Sequence, residues 1–206
     1  MAILQVIFGI LAFLYSVIIH EISHGLMAQS LGDTTARDQG RLSLNPIRHL
    51  DLFGSIILPL LLIFVSIKSG GRTPVFGYAK PVPYNPLNLR DQKYGPAKVA
   101  LAGPLSNLLL AVLFGLLVRF LPLSITLSEL LKDVVWINVA LLVFNLVPIQ
   151  PLDGHWLLLT FLPARFREVK YFLIRYGVFL FIIFVIFFMP IIEPLINFLF
   201  RAIVGS

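Results

Sequence analysis

The sequence predicts an all-α polytopic membrane protein, and three observations carry that prediction. Of the 206 residues, 58% are hydrophobic and only 13% are charged, against about 25% charged in soluble domains. Mean hydropathy is +0.93. The apolar residues also gather into long runs separated by polar, turn-rich stretches, the pattern of membrane spans and not of a soluble core. The expected architecture is a three-span core over about 2–31, 97–121 and 134–148. To it are added a short apolar element at 52–67, a candidate β-edge loop and one or two C-terminal segments. The length suits a single membrane-embedded domain, 1–206, with its core in 1–160 and the C-terminal segments in 161–206.

The first run reaches about Leu31, and Gly32 is a helix stop. No basic region or small-residue cleavage site marks it as a signal peptide, so it reads as a retained span. Near its deep end stands Ile18-Ile19-His20-Glu21-Ile22-Ser23-His24. Residues four apart share a helix face, so His20 and His24 present two imidazoles to one tetrahedral Zn²⁺. Glu21 beside them suits polarisation of a water. Three polar groups in lipid are expensive, which argues against chance.

A polar connector follows, and then 52–67. Sixteen helical residues reach only about 24 Å, short of a hydrocarbon core of roughly 30 Å, and Pro59 interrupts them. The segment is therefore a poor span or a re-entrant element. Val75–Val82, flanked by prolines, is a loop or an exposed strand edge of the kind that holds an extended peptide by β-augmentation. The second core span opens with Ala102-Gly103-Pro104, which reads as ordinary helix-start chemistry. Asn107 within it needs a polar partner, on another helix or on a substrate. The third span ends at Asn145-Leu146-Val147-Pro148, and Leu152-Asp153-Gly154 follows. Its prolines break the helix at membrane depth, which is tolerated where backbone lines a polar cavity. Phe161–Tyr171 reads as a basic loop, Phe172–Met189 as a last span, and Ile191–Val204 as an interfacial helix or short crossing.

A shared metal requires a shared depth. Asp153 is the acidic residue, outside the His-Glu-His motif, that stands at a broken helix end within an apolar stretch. It meets the histidines only if the three core spans run down, up, down, which requires 52–67 to dip and return. Basic residues agree: those from Arg37 to Lys98 and from Arg165 to Arg175 fall on one side, while only Arg119 and Lys132 flank the opposite turn. The positive-inside rule makes the histidine end cytoplasmic, in a multi-pass protein of a cell membrane. The net charge of +6 then belongs with topology and anionic lipid, so no nucleic acid partner is expected. Absence of cysteine excludes disulfides and thiolate chemistry.

The resulting site is one Zn²⁺ on His20, His24 and Asp153 with a fourth position open, as a catalytic zinc needs. Zinc lowers the pKa of a water towards about 7, and Glu21 is the general base and acid. Asn145 is a candidate donor to the oxyanion, or a helix-end brace.

In order, His20-Glu21-Ile22-Ser23-His24, Ala102-Gly103-Pro104 with Asn107, and Asn145-Leu146-Val147-Pro148 through Leu152-Asp153-Gly154 resemble the site-2 proteases, which are intramembrane zinc metalloproteases. The resemblance covers about Ile18 to Gly154. It implies a three-span catalytic core, zinc on His20, His24 and Asp153, and Glu21 as acid/base. The implied reaction is cleavage of transmembrane or membrane-proximal peptide segments, often in regulated proteolysis. The compact segment 40–59 is similar to the prokaryotic branch without a PDZ domain, which implies a prokaryotic inner or plasma membrane.

Two rivals stand beside this reading. An anchored zinc protease with a Glu third ligand would have to use Glu168. A metal-binding transporter or a non-catalytic helix-binding scaffold would not need Glu21, and no internal repeat suggests a transporter.

Overall fold

The computed structural model of the chain describes residues 2–51, 57 and 80–205. Among them the secondary structure is helical, without a strand. The 52–67 element lies outside the described residues except for Ile57. Of the candidate β-edge, only Lys80–Val82 are described, and these three form no strand.

Helix α1, Ala2–Ser30, ends as Gly32 predicts. Gly32 adopts φ 109°, its N–H bonds to Gln29 O at 3.0 Å, and Asp33 N–H bonds to Ala28 O at 3.0 Å. This is a Schellman closure, which needs a left-handed residue that only glycine supplies cheaply. Asp33 then ties the next loop down. Its fully buried carboxylate accepts from Thr35 Oγ1 at 2.6 Å, Asn85 N at 2.7 Å and Asn88 Nδ2 at 2.9 Å. Burial alone pushes this carboxyl up, but the hydrogen bonds outweigh it and hold it below the usual range. A short helix α2, Thr35–Asp38, follows.

Helix α3, Gly95–Phe120, starts with Pro96 in its first turn and carries Pro104 inside. Helix α4, Ile125–Asn145, begins nine residues before the expected span at 134. The Ser124 hydroxyl caps it by accepting from Leu127 N at 3.3 Å, and the Glu129–Lys132 pair bridges one turn at 2.8 Å. The charged stretch that reads as a loop is thus the first turns of a helix, since Glu, Leu and Lys are good helix formers.

Helices α5 (Gly154–Phe161), α6 (Arg167–Phe187) and α7 (Met189–Val204) complete the chain. The expected loop at 161–171 is only a 3₁₀ turn, Ala164–Phe166, running straight into α6. Among the described residues three stretches are long and apolar enough to cross a membrane: Ile3–Ser30, Gly95–Phe120 and Ala164–Phe187. Helix α4 is not among them because its three charges dilute it, yet its apolar half packs between α1, α3 and α7. Val135, Val139 and Val143 of α4 join Ala111 of α3 with Ile196 and Val204 of α7 in one buried cluster. The 16-residue α7 spans about 24 Å and covers the outside of that cluster.

Relative helix directions follow from cross-pairs. His20 meets Asn107 and His24 meets Val99, so α1 and α3 are antiparallel. Ser16 meets Asn138, and His20 meets Asp153 beyond the end of α4, so α4 runs with α1. The end of α1 and the start of α3 therefore lie on the same face of the bundle. Small buried residues at these contacts, Ala28, Ala97, Ala100 and Ala111, let backbones approach closely, which is how helices associate where lipid removes the hydrophobic drive.

Candidate metal centre

His20 and His24 stand one turn apart on α1, 6% and 9% exposed. Their rings meet edge to face, with centroids 4.6 Å apart. The two Nε2 atoms are 3.0 Å apart, and Asp153 Oδ2 lies 3.0 Å from one and 3.3 Å from the other. Asp153 occupies the cap position of α5 but makes no side-chain cap bond; its carboxylate turns back to the histidines instead. The sharp turn that delivers it requires Gly154, where a Cβ would sit 2.3 Å from Leu146 O and 2.5 Å from Val147 O.

The tautomers of both imidazoles follow from their partners. Val134 O, a pure acceptor, takes a hydrogen bond from Asn138 Nδ2 at 2.9 Å, and Ser16 Oγ takes the second at 2.9 Å. That orients the Asn138 amide, so its Oδ1 accepts from Asn107 Nδ2 at 2.9 Å. Asn107 Oδ1 is then left facing His20 Nδ1 at 2.6 Å, and the proton must be on the histidine. His24 Nδ1 likewise donates to Val99 O at 2.7 Å. In the neutral form of each ring this leaves Nε2 with a lone pair, and the two Nε2 atoms aim at each other and at a carboxylate oxygen. A single proton relieves one of these contacts. A cation between them relieves all three.

Space for that cation comes from Gly103 of α3. A Cβ there would lie 2.5 Å from both histidine Nε2 atoms, so the absent side chain leaves a hollow against the ligand atoms. A tetrahedral ion with bonds of about 2.0–2.1 Å sets its ligand atoms roughly 3.3 Å apart, close to the separations found. The residues present fit a small divalent cation with nitrogen and oxygen preference.

Glu21 follows His20 on α1 and is half-buried. Its Oε2 accepts from Val82 N at 2.8 Å, which fixes the carboxylate against a segment held by other bonds. Lys80 N–H binds His49 O at 2.8 Å, and buried Arg41 donates to Lys80 O at 2.7 Å and Pro81 O at 3.3 Å.

The structure separates the sequence candidates. His20, His24 and Asp153 converge, and they are the one such group among the described residues. Glu168 is exposed on the first turn of α6, away from them. Asn107 does not face a substrate: it is fully buried and orients His20. Asn145 gives its amide to Leu141 O at 3.0 Å, within its own helix. Sequence reasoning missed Ser16, Asn138 and the hollow at Gly103. Two of these left a signal: Ser16, His20 and His24 recur at four-residue spacing, and Asn138 is polar in the middle of an apolar run.

Residues 122–187, which include Asp153, match the model of peptidase family M50. "Putative zinc metalloprotease YwhC" of Bacillus subtilis is 32% identical over 202 residues, 91% of this chain and 85% of the relative. This chain belongs to peptidase family M50. It is a metalloendopeptidase of the site-2 protease type. Other M50 relatives match less of their own length. "Putative zinc metalloprotease Rip2" is 32% identical in Mycolicibacterium smegmatis and 30% in Mycobacterium tuberculosis, each over 71% of this chain and 54% of the relative. The chain thus spans about half of Rip2. No solved structure matches.

The hollow makes a sharp prediction. Gly103→Ala places a methyl where the cation would sit, so the purified protein should hold less than a tenth of the parent's bound divalent metal by elemental analysis. Gly9→Ala, with nothing within 4 Å of its added Cβ, is the control and should bind as the parent does. Equal metal content in Gly103→Ala would show that the cation is not held against α3.

Proposed function

We propose that this M50 member is a zinc-dependent intramembrane endopeptidase that hydrolyses peptide bonds in or near transmembrane segments of membrane proteins, in regulated intramembrane proteolysis. The observation that carries the proposal is position. His20 and His24 lie inside the apolar stretch Ile3–Ser30, and Asp153 reaches them from a helix end broken within the bundle. A bond cut there must be presented from the membrane or its edge. The names of the YwhC and Rip2 relatives supply zinc as the cation that His20, His24 and Asp153 would hold.

When bound, Zn²⁺ supplies Lewis-acid activation of water and of the peptide carbonyl. The chain's own residues do the rest. Glu21, with Oε2 engaged by Val82 N–H, keeps its other oxygen to take a proton from the attacking water and return it to the departing amine nitrogen. Asn107 and Val99 O hold the two imidazoles in the ligating tautomer, as outer partners of metal-bound histidines do. The apolar bundle limits water around the charges and so strengthens their interactions. A merely metal-binding scaffold or a transporter needs no carboxylate held in this way.

Two expected outcomes follow. Purified protein in liposomes with a labelled transmembrane peptide cleaves it, and Glu21→Gln lowers the rate at least 1,000-fold while retaining zinc. An equally active Glu21→Gln protein would refute Glu21 as the base, and a parent inert towards every such peptide would refute the intramembrane reading. For sidedness, the chain has no cysteine of its own. A cysteine at exposed Gln92 should be labelled in intact cells only by a membrane-permeant reagent, placing the histidine end in the cytoplasm. Labelling there by an impermeant reagent would reverse the topology.

A further inference from the structure

The segment that fixes Glu21 also carries Tyr84, which packs against the helices that bear the site. Pro81 and Pro83 bias the backbone from Lys80 to Tyr84 towards extended geometry. Residues two apart on such a backbone point the same way. Val82 turns inward, 6% exposed, against the position a Gly25 Cβ would take, one residue beyond His24. Tyr84, two residues on, is half-buried.

Its surroundings locate it. The Tyr84 ring packs on the cluster of Ala28, Leu89 and Val99. Ala28 is one turn beyond His24 on α1, and Val99 carries the carbonyl that binds His24 Nδ1. On its other side the ring meets Trp156 of α5, with centroids 6.5 Å apart, three residues after Asp153. Thus α1, α3 and α5, the helices that bear His24, Gly103 and Trp156, all border this one phenol. Its Oη is shielded from solvent and has no hydrogen-bond partner among the described residues. Burying a hydroxyl unpaired is destabilising, and a phenylalanine would fill the same space without that loss.

The reaction offers the missing partner. Attack on a peptide carbonyl gathers negative charge on its oxygen, and a preorganised donor aimed at that position lowers the barrier. Asn145, the donor suggested by sequence, gives one of its two amide hydrogens to Leu141 O within its own helix. We infer that Tyr84 Oη is a catalytic hydrogen-bond donor to the carbonyl oxygen of the scissile peptide bond. No proton is transferred: the phenol stays neutral and donates. Burial first, and then the Asp153 charge, push its pKa up to about 12, which keeps the O–H intact at working pH.

The inference rests on the proposed peptidase reading, and its test separates the two. Tyr84→Phe and parent, both zinc-loaded, are compared for cleavage of the labelled transmembrane peptide. They are also compared for binding of a phosphinic analogue of that peptide, whose tetrahedral oxygens stand in for the developing oxyanion. The expected result is a roughly 100-fold lower kcat with KM within threefold, since one donor to the oxyanion is lost. Phosphinate affinity should fall at least tenfold. Zinc content should be unchanged and Tm equal or higher. A kcat within twofold of parent with unchanged phosphinate affinity overturns the role. So does a fall in Tm with loss of zinc, which would make Tyr84 a packing residue. If the parent binds the phosphinate but cleaves no peptide, the intramembrane substrate is wrong and the phosphinate comparison still decides Tyr84. A parent that binds neither overturns both.

Discussion

Two imidazole lone pairs and a carboxylate oxygen, aimed at one point, constitute the interaction on which this molecule depends. Nε2 of His20, Nε2 of His24 and Oδ2 of Asp153 lie 3.0–3.3 Å apart, and the histidine protons are committed elsewhere. A cation or a shared proton offsets the mutual repulsion of these atoms, and in a low-dielectric bundle Coulomb terms are several times their value in water. The fold holds the ligand atoms at this spacing. It does so with a rigid helix, α1, and with a glycine on α3 that leaves the hollow open.

Holding them requires a polar chain through the middle of an apolar bundle. Val134 O, Asn138, Ser16, Asn107 and His20 are joined by hydrogen bonds across α4, α1 and α3. In hydrocarbon each of these groups would be costly alone. Joined, they set the register and direction of three helices and at the same time fix a tautomer. Architecture and chemistry are thus one set of contacts: the antiparallel α1–α3 pair and the parallel α1–α4 pair are what bring Asp153 to the histidines.

The parts legible in the sequence were those with a short-range signature. The His20–His24 spacing follows from helical period, Gly32 from left-handed closure, and the placement of Asp153 from span direction and a proline-broken helix end. Parts that depend on close approach were not legible. Gly103 reads as helix-start chemistry, because nothing in Ala102-Gly103-Pro104 reveals that histidines lie against it. Asn138 passes as an ordinary residue of a span until Ser16 and Asn107 are seen around it. Asn107, open between a helix partner and a substrate, proves to orient His20. The start of α4 was misplaced because charge density was read as loop, although Glu129 and Lys132 are helix formers that pair across a turn. The element at 52–67 and most of the β-edge lie outside the described residues.

The Lys80–Tyr84 segment links these levels, since its backbone bonds fix Glu21 while Val82 and Tyr84 pack against helices that bear the site. All of this presupposes a cation at the point where the three ligands meet. Zinc K-edge X-ray absorption on the purified, zinc-loaded protein tests that most directly. The account predicts one zinc per chain in a shell of only nitrogen and oxygen at about 2.0–2.1 Å, with outer scattering from two imidazole rings. A shell with one imidazole or none, or with six oxygens, would contradict it.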